Sequence, residues 1–204
     1  AIVAGATAVL TLANLSVYSS VGDSLRYTAF QVASIISTTG FGTADFVLWP
    51  KFSQMIIVLL MFCGASAGST GGGMKCSRVL ILLRAIRREV HRITHPRSVE
   101  VVKLDGKLVG ESTLHSLLVF LGAYVMTIFA AALVISLDGE SFAVSFSAAL
   151  TCVSNVGPGL EAIGPSGNFA AFSTLSKGVM SLCMIIGRLE IFPILILFSR
   201  STWS

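Results

Sequence analysis

The sequence predicts an all-α integral membrane protein built of two parallel repeats, each running span, re-entrant helix, glycine-rich turn, span. Three observations predict it. Of 204 residues, 54% are hydrophobic and only 12% charged, against roughly 25% charged in a soluble domain, and mean hydropathy is +0.85. Four stretches, 1–18, 46–63 continuing beyond residue 73, 114–137 and 169–198, are apolar enough to cross a bilayer core that needs roughly 20 helical residues. Sliding the chain over itself by 117 positions also brings two shorter apolar segments, 24–37 and 141–154, into register.

In chain order, the opening at Ala1 has no charged leader and no cleavage site, so it reads as a span entered mid-helix. Segment 24–37 makes about 20 Å of helix at 1.5 Å per residue, too short to cross, and ends in glycine-rich sequence. Non-helical backbone at membrane depth is tolerated only where protein buries it or it lines a watery cavity, so this is a re-entrant loop. The second span, 46–63, breaks at residues 64–73, where five glycines in ten residues should unwind a helix at about 1 kcal/mol each. The tract 75–107 holds nine of the fourteen cationic residues and reads as a cytoplasmic loop. The third span, 114–137, returns to the outer side and presents segment 141–154 as a second re-entrant loop. Asp23, Asp45, Asp138, Glu140 and Glu161 then outnumber Arg26 and Lys51 on the outer connections, an acidic face that concentrates cations. The expected organisation is residues 1–90 as one unit, 91–112 as a basic linker and 113–204 as the other. Lys177 has no counterpart in the first unit and no assigned role.

In the overlap Gly22, Ser24, Ser37, Gly40 and Gly42 fall on Gly139, Ser141, Ser154, Gly157 and Gly159, and Asp23 falls on Glu140. An acid followed by Ser suits a helix start, because oxygens accept the orphan N–H groups there. Past the turns the register slips by six residues, and Met61-Phe62-Cys63-Gly64 matches Met184-Ile185-Ile186-Gly187. The turns are Thr38-Thr39-Gly40-Phe41-Gly42-Thr43 and Asn155-Val156-Gly157-Pro158-Gly159. A cation leaving water needs oxygen ligands, and carbonyls turned toward an axis supply them without burying a charge. Glycine permits such backbone. Ordinary surface turns are the alternative, weakened by two copies in register.

Other chemistries are poorly signalled. A net charge of +4 is too small an excess to imply nucleic acid, and four scattered cysteines with three histidines show neither a disulfide framework nor metal spacing. Gly64-Ala65-Ser66-Ala67-Gly68 formally matches a serine-hydrolase elbow, which makes an intramembrane protease using Ser66 the rival class. Gly68 to Lys75 misses a phosphate loop by the inserted Met74. Close helix packing by small residues is the remaining alternative for this tract. Arg188 and Glu190 lie deep in an apolar run, where charge is costly and usually paired or functional, although a basic residue near a span end can snorkel.

The paired turns, the tract Gly64-Ala65-Ser66-Ala67-Gly68-Ser69-Thr70-Gly71-Gly72-Gly73-Met74-Lys75 and the late Gly187-Arg188-Leu189-Glu190 closely resemble the bacterial TrkH/TrkG potassium-uptake family of the Trk/Ktr/HKT superfamily. The resemblance implies a pseudo-fourfold, potassium-channel-like pore of four span, pore helix, span repeats, of which this chain looks like the last two. It implies potassium (K+) as the transported ion, no cofactor, no enzyme activity and residence in the bacterial cytoplasmic (inner) membrane. Thr38, Thr39, Gly40, Phe41, Asn155, Val156, Gly157 and Pro158 match its selectivity filter. Gly64, Ala65, Ser66, Ala67, Gly68, Ser69, Thr70, Gly71, Gly72 and Gly73 match its intramembrane gate, with Arg188 donating hydrogen bonds to that loop. The basic stretch 84–97 reads, on its residues alone, as a solvated helix face, an anionic-lipid contact or a docking surface; the resemblance favours the last, since it implies a homodimer seated on a cytosolic, nucleotide-binding, TrkA-like regulatory ring. A sodium-permeable or non-selective member is the runner-up, because the first two repeats of such a pore help set the filter, and a pair of filter segments cannot by itself encircle an ion.

Overall fold

A computed structural model describes residues 2–66, 68–69, 71–95, 101–104 and 106–189. Seven helices carry these residues: α1 (Ile2–Ala13), α2 (Val21–Ile36), α3 (Lys51–Cys63), α4 (Cys76–Thr94), α5 (Glu111–Ile135), α6 (Phe142–Ser154) and α7 (Thr174–Arg188). A two-residue antiparallel hairpin, β1 (Lys103–Leu104) with β2 (Lys107–Leu108), sits between α4 and α5.

The expected capping chemistry is realised at one short helix and displaced at the other. At α6 the Ser141 hydroxyl accepts from the Val144 N–H at 3.2 Å, as the sequence suggests. At α2 the cap is Ser20, which accepts from Gly22 at 3.2 Å, and the helix starts at Val21 instead of residue 24. Ser24 is instead fully buried and donates to the Thr11 carbonyl of α1 at 2.9 Å, so a tertiary contact claims the hydroxyl.

The spans differ from the reading in four long helices. Among the described residues, only Glu111–Asp138, α5 with its terminal turn, is long and apolar enough to cross a membrane as one helix. α1 stops at Ala13 because the buried Asn14 side chain turns to accept from Ser53 of α3 at 2.7 Å. α3 stops at Gly64, whose φ of +62° lies outside helical space, and the chain resumes as α4 after Lys75. α7 is described to Arg188; Glu190 and the rest of the expected fourth span lie outside the described residues.

The cationic tract is largely a helix, not a loop. α4 carries Arg78, Arg84, Arg87, Arg88 and Arg92, runs past the expected unit boundary at residue 90, and buries Ile81 with Val102, Leu114 and Leu117. Its hydrophobic residues recur at helical spacing, while Arg84, Arg87 and Arg92 stay exposed and Arg78 and Arg88 are half-buried. Arg97 lies outside the described residues.

One core unites the remaining helices, drawing Leu10 from α1, Ile35 from α2, Met61 from α3, Tyr124 from α5, Val153 from α6 and Met180 from α7. α6 is its centre: ten of its thirteen residues are buried, and it packs on α5, α7 and α3. α2 packs likewise on α1 and α3.

Candidate functional site

Both short helices end in the same backbone pattern. Thr38 and Gly40 have φ of +57° and +75°, and Asn155 and Gly157, 117 positions later, have +55° and +112°. Alternating handedness flips successive peptide planes. The turn N–H groups fold back onto the preceding helix: Thr39 donates to Ser34 O at 2.9 Å, Val156 to Thr151 O at 3.0 Å, and Gly157 to Thr151 Oγ1 at 2.9 Å. Among the described residues no donor reaches the carbonyls of Thr38, Thr39, Gly40, Asn155, Val156 or Gly157. The carbonyl ends of α2 (to Ile36) and α6 (to Ser154) place their partial negative charge beside those oxygens.

The turns also meet. The Val156 carbonyl oxygen occupies the place where a Cβ on Gly40 would stand, and Pro158 Cδ lies 3.4 Å from that place. Phe41, by contrast, leaves 70% of its surface exposed.

Polar side chains on the short helices hold the turns, and the sequence reading missed them. Gln31 donates to Ala44 O at 2.7 Å and Ser34 to Phe41 O at 2.6 Å, while Ser147 accepts from Leu160 N–H at 3.0 Å. Ser34 and Thr151 are themselves 117 apart, so the overlap that exposed the turns carried this signal too.

The glycine-rich tract lies against both turns. A Cβ on Gly71 would stand 2.6 Å from Thr38 Oγ1, and one on Gly72 would stand 2.5 Å from Ser154 O and 3.0 Å from Asn155 Nδ2. Its neck is pinned by Cys76 N–H to Ala65 O at 2.9 Å and Met74 N–H to Phe62 O at 3.4 Å, and Ser69 N–H donates to Ser66 O at 3.1 Å. Gly64, Gly68 and Gly73 all take positive φ. Ala67 and Thr70 lie outside the described residues.

Asn155 joins these parts to α7. Its Nδ2 donates to Met184 O at 3.1 Å and would stand 2.9 Å from a Cβ on Gly187. The neighbouring Ser154 hydroxyl shares a 2.7 Å hydrogen bond with buried Tyr124 of α5, whose ring meets Phe62 of α3 edge-on at 5.4 Å. Arg188, one turn beyond Met184, is exposed and lines a cavity of about 540 Å³ with Asn155, Met184, Ile185 and Leu189.

Ser66 has different company. Its cavity, about 760 Å³, is lined by residues such as Ile2, Ile36, Ser37 and Leu80, with no histidine, carboxylate or lysine among the described lining residues. A helix, not a strand, precedes it. A serine nucleophile needs a base within hydrogen-bond reach, and none is found among the described lining residues.

The acids expected on the outer side are partly structural. Asp45 accepts from Val47 N–H at 3.0 Å and from the Ser166 hydroxyl, Asp138 accepts from Ser173 N–H at 3.0 Å, and Glu161 accepts from the Ser141 hydroxyl at 2.7 Å. Lys177 finds its role here, donating to Ala170 O at 2.8 Å to fasten the loop before α7.

Residues 6–204 match the family model of TrkH, a cation transport protein. The chain belongs to the TrkH family. Similar proteins include the Trk system potassium uptake protein TrkH of Salmonella typhimurium, 34% identical over 92% of this chain and 38% of that protein. TrkG of Escherichia coli is 33% identical over 88% of the chain and 37% of its own length. The crystal structure of the potassium transporter TrkH from Vibrio parahaemolyticus superposes with a TM-score of 0.89 at 33% identity, over 100% of this chain and 43% of that one. This TrkH-family chain therefore spans about two fifths of the relatives it matches. Its helical core matches the corresponding part of that solved transporter, and the relatives are named as potassium uptake proteins.

Proposed function

We propose that this TrkH-family chain forms part of a pore that moves potassium across the bacterial cytoplasmic membrane. Carbonyls of Thr38 to Phe41 and Asn155 to Pro158 replace the ion's water, and the ends of α2 and α6 add partial negative charge. The tract Gly64 to Gly73 closes the path beneath them, held by Arg188. The observation that carries this reading is the shared φ pattern of the two turns, with the Val156 carbonyl set against Gly40 and with Gly71 and Gly72 set against the turns' inner side. No bond to substrate is made or broken. Two repeats supply only part of the ring of ligands, so the complete parent chain carries the activity.

Rubidium and sodium uptake into liposomes bearing that complete chain tests the filter. Rubidium should be preferred, and Gly157→Ser should erode the preference, because φ of +112° strains any L residue there. Equal passage of both ions, unchanged by the substitution, would replace potassium selectivity with a non-selective or sodium-permeable pore.

Arg188 tests the gate separately. Its replacement by Ala should raise ion leak under conditions that keep the parent closed, and an unchanged leak would return Arg188 to the part of a snorkelling side chain. The same reading makes the assembly a homodimer on a cytosolic TrkA-like nucleotide-binding ring. Light scattering of the purified parent, with and without the ring, measures both stoichiometries.

A further inference from the structure

The first left-handed residue of each turn is not a glycine. Thr38 and Asn155 hold matching places 117 positions apart, with φ of +57° and +55°. Asparagine tolerates that region, but a β-branched residue there is a genuine outlier. Glycine would fit both places without strain. Strain of this kind persists only where surrounding contacts hold it, and here the side chains themselves make the contacts.

Both side chains meet the glycine-rich tract, at consecutive residues. Thr38 Oγ1 stands 2.6 Å from the place of a Cβ on Gly71, and Asn155 Nδ2 stands 3.0 Å from the place of one on Gly72. The same Cβ on Gly72 would lie 2.5 Å from Ser154 O, so the tract also presses on backbone. Asn155 is steadied from its far side, where Nδ2 donates to Met184 O at 3.1 Å and Gly187 of α7 leaves room for the carboxamide. Thr38 is tied back to α2 by its N–H, which donates to Ile35 O at 3.1 Å. The tract thus touches one polar side chain from each turn, and each of these is anchored behind.

We propose that Thr38 and Asn155 are positioning residues for the tract, a two-point seat that holds Gly71 and Gly72 against both turns at once. Only in treating the tract as a gate does this rest on the pore reading above. Under that reading the seat ties closure to the state of both turns, because displacement of either side chain loosens the tract.

Hydrogen–deuterium exchange of the purified complete chain, read by mass spectrometry on the peptide covering residues 64–76, tests the seat without measuring transport. Its reporters include the N–H groups of Ser69, Gly71, Met74 and Cys76, which donate to Ser66 O, Ser69 Oγ, Phe62 O and Ala65 O. Thr38→Gly and Asn155→Gly delete the side chains and meet positive φ without strain. Each should speed exchange of this peptide, relative to peptides of α5, on the order of tenfold. Thr38→Ser keeps the hydroxyl and should exchange at the parent rate. Gly71→Ala should also loosen the tract, and combined with Thr38→Gly it should be no faster than Thr38→Gly alone, because the colliding atom is gone. Exchange at the parent rate in both glycine variants overturns the proposal, and if the rubidium preference alone changes, the two side chains are ion ligands instead. Independent effects of Gly71→Ala and Thr38→Gly overturn it as well. Rubidium leak in the same variants addresses the pore reading separately: fast exchange without leak keeps the seat and removes the gate.

Discussion

Alanine in place of Gly40 is expected to abolish selective uptake by the complete chain, whereas alanine in place of Gly157 is expected only to weaken it. Both sites have positive φ, so an L side chain costs backbone strain of about 1–3 kcal/mol at either. Only Gly40 adds a collision, because its Cβ would fall on the Val156 carbonyl oxygen, while a Cβ on Gly157 would meet nothing within 4 Å. The collision involves backbone on both sides and cannot be relieved by a rotamer. Val156 is tied to Thr151, and the first turn is tied by Thr39 N–H to Ser34 O and by the Ser34 hydroxyl to Phe41 O, so relief requires one whole turn to leave the other. Initial rates of rubidium against sodium uptake should show discrimination lost in Gly40→Ala and partly kept in Gly157→Ala. Equal discrimination in both would mean that the turns do not act as a pair.

The second large effect is on assembly. Gly187 of α7 sits so close to α6 that its Cβ would overlap the Val153 carbonyl oxygen and stand 2.9 Å from Asn155 Nδ2. Gly187→Ala must push α7 off the most buried of the described helices, and overpacking of this kind costs about 1–3 kcal/mol, more where backbone is the obstacle. Monodisperse protein after purification should fall several-fold, and its unfolding temperature should drop. Gly178 is the internal control. It lies on the same helix with nothing within 4 Å, so Gly178→Ala should be neutral or mildly stabilising, since Ala is favoured over Gly in a helix by about 1 kcal/mol. If both substitutions behave alike, close approach of α7 to α6 does not limit stability.

The parts of the site legible in the sequence were those whose cause is local and repeated. Glycines at fixed distance after short, apolar helices announce turns, and the overlap of 117 positions pairs Thr38 with Asn155 and Gly40 with Gly157, which share positive φ. What escaped was decided by tertiary contact. The sequence reading starts α2 at Ser24, but that hydroxyl is spent on the Thr11 carbonyl and Ser20 caps the helix instead. The polar residues Gln31, Ser34, Ser147 and Thr151 face carbonyls and N–H groups that come close only once the turns are folded. In α4 the dense charge masks a helical run of Val79, Leu82, Ile86, Val90 and Ile93. Asn155, in the filter reading as one of several turn residues, proves to be where α6, α7 and the glycine-rich tract share a side chain.

The burial of α6 sets a timetable for biogenesis. At thirteen residues it is about 20 Å long, below the roughly 30 Å of a bilayer core, and Ser145, Ser147, Thr151 and Ser154 are sealed inside it. It cannot settle in lipid alone. α5 precedes it from the ribosome and can anchor it, but the opposite wall is α7, whose last helical residue follows Ser154 by 34 positions. At roughly 5–20 residues per second, the nascent α5 and α6 wait roughly 2–7 seconds for that wall. During that interval the backbone of the second turn has no roof, and an insertion factor able to shelter a half-built hairpin would find its client there.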